Sequence, residues 1–154
     1  MVESLNWLNH DHLKYDEALD ECELVAASGD WKNAVRLFKI FVEDLKHHMR
    51  IEDEILYPMI EGRVELKQDI ALLKDEHSNM VRLLRDLIFV IKTNDIDHFE
   101  ESLEPLHQYM RDHNEHEEAV FMNAGIEEVL MPKEEFLNRL ERLNVPVEHH
   151  NWGI

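Results

Sequence analysis

Apolar residues recur along this chain at steps of three and four, in four long stretches separated by short polar turns. The first stretch, from about Ser4 to Ala27, carries Leu5, Leu8, Tyr15, Leu19, Cys22 and Ala26, with His12 filling the one gap in the series. A second carries Trp31, Ala34, Phe38, Phe41, Leu45, His48, Glu52, Ile55 and Met59. The third, from about Leu66 to Lys92, carries Leu66, Ile70, Leu73, His77, Met80, Leu84, Leu87 and Ile91. The fourth follows Asp95 with Phe99, Leu103, Leu106, Met110, His113, Glu117, Val120 and Ala124. Such steps trace one face of a helix turned toward a core, so the pattern predicts an all-α protein of four amphipathic helices.

The turns fit that reading. In Ser28-Gly29-Asp30 the glycine suits the left-handed residue after a helix and the aspartate can cap the next one; Thr93-Asn94-Asp95 repeats the arrangement. Pro58 and Gly62 should kink and end the second helix. Pro105 falls inside the fourth, which predicts either a kink or a short helix followed by a new start. Beyond Gly125 a short fifth helix should begin near Pro132, with Phe136, Leu137, Leu140 and Leu143 as its packing face, before an aperiodic tail from Asn144 to Ile154. Residues 1–125 are thus expected to form the bundle, with 126–154 packed on the same domain.

Six ionisable side chains interrupt the apolar seams, and they are related by one offset. Adding 65 to His12, His48 and Glu52 gives His77, His113 and Glu117, so the chain is an internal duplication of two helical hairpins. Residues four apart on a helix share a face, so His48 with Glu52, and His113 with Glu117, can each present two heads in one direction. Facing hairpins would enclose all six. Singly, each would read as a core residue with a satisfied hydrogen bond. Jointly, a buried unpaired carboxylate costs several kcal/mol and an unsatisfied imidazole about 1–3 kcal/mol, which a small domain tolerates only with compensation. A metal ion compensates.

Four imidazoles and two carboxylates are too many for one tetrahedral zinc, and the single cysteine provides no thiolate set. Shared between two ions, each takes two histidines while Glu52 and Glu117 bridge. That gives about four protein donors per ion, with room for an oxo or hydroxo bridge and an exogenous ligand. Mixed imidazole and carboxylate ligation with open positions favours two iron ions, with manganese or zinc as substitutes. The spacing also rejects other sites. A ferritin-like site needs Glu-x-x-His on two helices, and only Glu104 to His107 fits; His116-Glu117 lacks the second histidine of a zinc protease.

The neighbours of these six are expected to play lesser parts. Tyr15, one turn from His12, either hydrogen-bonds a ligand or is a core aromatic with its hydroxyl satisfied elsewhere. His47, Asp53, His116 and Glu118 adjoin ligands but should face aside, and His10 and His107 should lie off the inner face. Cys22, on the apolar stripe, reads as a core filler, and His149-His150 as a solvated terminus.

Charge and composition narrow the partners. The formal net charge of −18 leaves no basic surface for nucleic acid or an anionic membrane. No apolar run approaches the ~20 residues of a membrane span, and the N-terminus lacks the basic and apolar regions of a signal peptide, so a cytoplasmic protein is expected.

The segment His48-Met49-Arg50-Ile51-Glu52-Asp53-Glu54-Ile55-Leu56-Tyr57-Pro58 resembles the His-x-x-x-Glu-Glu-x-x-Leu-Phe-Pro element of hemerythrin-like (HHE cation-binding) proteins, and His113 to Phe121 is similar to a second copy. Asp11-His12 and Glu76-His77 are similar to the acidic-His pairs that begin the other two helices of that family. The resemblance spans roughly residues 5 to 125. It implies an antiparallel up-down four-helix bundle holding a non-haem di-iron centre. Two departures from the oxygen carriers stand out: Val81 occupies the position of a second histidine on the third helix, and Glu118 that of an aspartate on the fourth. A more open site is implied, and with it binding of oxygen or nitric oxide for sensing, storage or detoxification. The alternatives are a di-iron oxidoreductase acting on oxygen, peroxide or nitric oxide, an iron-sulfur cluster repair protein without the usual cysteine-bearing extension, or an iron-dependent partner-binding module.

Overall fold

The computed structural model describes the backbone of residues 2–125 with Asn138 and Glu141, and side chains from His12 onward in that span except Met59. The expected fifth helix and tail lie outside the described residues, as do the side chains of Leu5, Leu8 and His10. Four long helical segments follow one another: α1 (Val2–Ala27), α2 (Trp31–Ile51), α4 (Lys67–Ile91) and α5 (Ile96–Ala124). Between α2 and α4 the helix continues through a π-helical turn (Glu52–Leu56) into the single turn α3 (Tyr57–Ile60), and a 3-10 turn (Val64–Leu66) leads into α4.

The connections are made as their residues dictate. Gly29 takes φ +87° after α1, and the Asp30 carboxylate accepts from the Asn33 N–H at 3.3 Å to start α2. Asn94 at φ +55° and Asp95, accepting from the His98 N–H at 3.2 Å, do the same between α4 and α5. Short turns make successive long helices antiparallel. α1 packs on α2 and α4 on α5, and α1–α5 and α2–α4 contacts close the up-down bundle. α5 runs through Pro105 without a break, so neither a new start nor a separate short helix occurs there. An interior proline costs about 3 kcal/mol, and burial of Leu103 and Leu106 on either side, at about 1.5–3 kcal/mol each, offsets it.

The inner faces are those the periodicity marks. Tyr15, Leu19, Cys22, Phe38, Phe41, Leu45, Met80, Leu84, Phe99 and Met110 fill one apolar layer. Ile51, Ile55, Leu56, Ile60, Ile70, Leu73, Val120 and Phe121 fill a second. Between them, one level along each helix, lie His12, His48, His77, His113, Glu52 and Glu117, all buried. Cys22 is a core residue: its thiol donates to the Ala34 carbonyl at 3.3 Å, and burial, with Glu21 and Glu23 nearby, pushes its pKa up to about 12. Phe89, which is not on the periodic inner face of α4, is 71 % exposed. One placement differs from the pattern: His107 is buried against α1, with Asp16 and Asp20 at 3.9 and 3.7 Å.

Candidate metal centre

The six residues related by the 65-residue offset converge into two clusters that share their carboxylates. His12, His48, Glu52 and Glu117 form one; Glu52, His77, His113 and Glu117 form the other, with donor atoms in each within 4.8 Å of one another. Ligands around one ion at about 2.1 Å lie roughly 3 Å apart when adjacent and about 4.2 Å when opposed, so each cluster has the dimensions of a coordination sphere. Glu117 divides its oxygens between the two: Oε1 is 3.5 Å from His12 Nε2 and Oε2 is 3.5 Å from His113 Nε2. Glu52 Oε1 lies 3.3 Å from both His48 Nε2 and His77 Nε2.

Every imidazole turns Nε2 inward, and for His12, His77 and His113 the back nitrogen explains why. His12 Nδ1 donates to Glu118 Oε1 at 2.9 Å, His77 Nδ1 to Asp53 Oδ1 at 3.0 Å and His113 Nδ1 to Glu76 Oε1 at 2.8 Å. A proton fixed on Nδ1 leaves the Nε2 lone pair for a cation and makes it more basic. Between His77 and His113 the two Nε2 atoms stand 3.2 Å apart, a contact that requires a proton or a metal ion.

The donor atoms fit a metal because little else satisfies them. Both oxygens of Glu52, Oε1 of Glu117 and Nε2 of His12 are buried without a hydrogen-bond partner, where native interiors leave few such atoms. In the metal-free state protons take over. Burial opposes charging His77 and His113, but the carboxylates of Asp53 and Glu52 facing the first, and of Glu117 and Glu76 facing the second, favour their protonated forms and raise them to about 10 and about 9. His12 is raised in the same way against its burial, by Glu117 and Glu118. Burial would raise the Glu117 carboxyl, yet its interactions with Glu52 and with the nearby His113 and His12 imidazoles hold it well below the ordinary carboxylate range.

The matching family model is the hemerythrin HHE cation-binding domain, over residues 4–125. The chain belongs to the hemerythrin HHE cation-binding family. Comparison with curated proteins and with solved structures gives no match. For a hemerythrin-like chain the buried His/Glu cluster is where the cation would sit, held by His12, His48, Glu52, His77, His113 and Glu117.

Several neighbours do more than sequence reasoning gave them. Asp53 and Glu118 contribute through the back nitrogens of His77 and His12, and they too are related by 65, so the repeat extended to them was the available signal. Glu76 serves His113 on α5, and it also accepts from half-buried His116 at 2.9 Å. Those two hydrogen bonds lower the Glu76 carboxyl below its ordinary value against the effect of burial. Tyr15 packs its ring edge-on against His48 at 5.3 Å and gives its hydroxyl to the Asp44 carbonyl at 3.3 Å, the core-aromatic alternative. His107 is buried, not off the inner face as its spacing suggested, but its partners are on the α1 flank and it belongs to neither shared-carboxylate cluster. Tyr57 was missed altogether: its hydroxyl donates to Glu117 Oε2 at 2.5 Å and stands 3.2 Å from His77 Nε2.

The approach to the site is also more polar than the seam pattern implied. A cleft of about 630 Å³ between α2 and α4 reaches His77 and Asp53 from outside, and Lys46, Arg50, Lys74 and Arg85 line it beside Met49 and Val81. Arg50 pairs with Glu54 at 2.9 Å and Lys74 with Glu61 at 2.8 Å. Among the described residues no helix is long and apolar enough to cross a membrane.

Proposed function

We propose that this protein holds two iron ions and takes up a small diatomic ligand, oxygen or nitric oxide, directly at them, for sensing, storage or detoxification. The observation that carries the reading is the sharing of Glu52 and Glu117 between two histidine pairs. His12 and His48 would hold one ion and His77 and His113 the other, each together with Glu52 and Glu117, and these six residues would leave coordination positions unfilled. Iron would supply reversible one-electron chemistry and affinity for a diatomic ligand.

The chain's own part is to hold and shield. Apolar layers above and below exclude water from the ligand plane, which strengthens every charge interaction inside it. Asp53, Glu76 and Glu118 keep the imidazoles oriented and their Nδ1 protons in place. The basic cleft beside His77 favours a second reading, an oxidoreductase that turns over peroxide or nitric oxide, since it brings solvent and polar side chains to the rim of the site.

Anaerobic reduction of iron-loaded protein followed by rapid mixing with oxygen or nitric oxide tests the first reading. A prompt optical change with either gas supports it, and a spectrum unmoved by both overturns it. Sustained consumption of peroxide or nitric oxide with a reductant present would shift the assignment to an enzyme.

A further inference from the structure

Tyr57 breaks the duplication at the metal centre. Its counterpart 65 residues on is Met122, which is 64 % exposed on a regular turn of α5, whereas Tyr57 is fully buried. The backbone makes the difference. The Tyr57 N–H donates to the Glu52 carbonyl, an i→i+5 bond that closes the π turn and stacks Tyr57 directly beyond Glu52. In an α-helix a residue five positions on would be rotated about 140° away from the seam. Pro58, which has no N–H to give to Glu54, follows immediately, and its counterpart in the second half is Asn123. π turns of this kind concentrate at functional sites.

The hydroxyl so placed is 2.5 Å from Glu117 Oε2 and 3.2 Å from His77 Nε2, two donor atoms of the same cluster. Adjacent donors on one ion are about 3 Å apart, so Tyr57 Oη, 3.2 Å from one donor atom and hydrogen-bonded to another, is within reach of the same ion. Among the described residues no phenol is placed equivalently at the other cluster, because Tyr15 sends its hydroxyl to Asp44.

We propose that the phenolate oxygen of Tyr57 is a fifth protein ligand to the ion held by His77, His113, Glu52 and Glu117. The inference rests on the two-ion reading above. On coordination the phenol O–H bond breaks, its proton passes to solvent, and an oxygen–metal bond forms, with no change of oxidation state. The two ions would then be unequal, five protein donors against four.

Phenolate bound to ferric iron absorbs in the visible, and excitation in that band enhances tyrosine ring vibrations in the resonance Raman spectrum. Protein loaded with ferric iron should show both, Tyr57→Phe should lose both, and Tyr15→Phe should keep them. Ring-deuterated tyrosine in the unaltered protein gives the same answer without any variant, by shifting the enhanced bands. Two bound irons with no tyrosine vibrations, or a visible band that survives Tyr57→Phe, would overturn the inference and leave Tyr57 as a hydrogen-bond donor to Glu117. Fewer than two irons in the unaltered protein would instead overturn the two-ion reading, and this ligand with it.

Discussion

Stripping the metal should lower the melting temperature by about 10–20 °C. At a free concentration about 100 times its Kd, one ion that binds only the folded chain stabilises it by about 2.7 kcal/mol, and two such ions by about 5 kcal/mol. A domain of this size moves by about 2–4 °C per kcal/mol, which gives the range. The structure supplies the reason the effect should be large. Without metal, Glu52 and Glu117 remain buried with three carboxylate oxygens lacking hydrogen bonds, each costing about 1–3 kcal/mol. Protonated imidazoles recover part of that, which is why the stripped protein is expected to be weaker but still folded. The assay is thermal unfolding by circular dichroism before and after reductive chelation, with residual metal measured in the same samples. An unchanged melting temperature after verified removal would refute the reasoning, since the six groups would then be satisfied by one another.

Three further outcomes follow from the charges around the site. His77 and His113 in the metal-free protein are raised from 6.5 to about 10 and about 9. Groups raised on folding contribute fully below the unfolded value and lose that contribution through the folded one, so stripped protein should lose stability as pH rises from about 6.5 to 10. Urea unfolding at stepped pH would check this, and a flat profile over that window would contradict it. Loaded protein should show the opposite trend in metal retention, because protons compete with the ions for the same nitrogens. Asp53→Ala and Glu118→Ala remove the acceptors behind His77 and His12. Each should weaken metal binding about 10–100-fold, read by competition with a chelator, and unaltered affinity in both would remove the carboxylates from the site's construction.

Much of this was legible in the sequence because one period and one offset carried it. The 3–4 spacing placed the four inner faces, and the 65-residue offset isolated six ligand candidates that the fold brings to one level. Each failure has a local cause. Tyr57 escaped because a π turn changes the period just after Glu52, so a residue that an α-helix would turn away is turned inward. Asp53 and Glu118 were placed beside the site on helical angle alone, which ignores that a carboxylate one position off the seam can reach the back of an imidazole on a facing helix. His107 fell outside the seam it would have shared on α5, but α1 packs against α5 closely enough to bury a flank position. Pro105 could not be decided from sequence, because whether a helix continues through proline depends on the tertiary burial around it.

The central claim, that Glu52 and Glu117 join two histidine pairs into a two-ion site, is tested most directly by counting metal. Protein expressed in iron-supplemented medium and purified without chelator should contain two iron ions per chain by elemental analysis against quantitative amino-acid analysis. One ion per chain, or none, in protein that is folded by circular dichroism would contradict the claim.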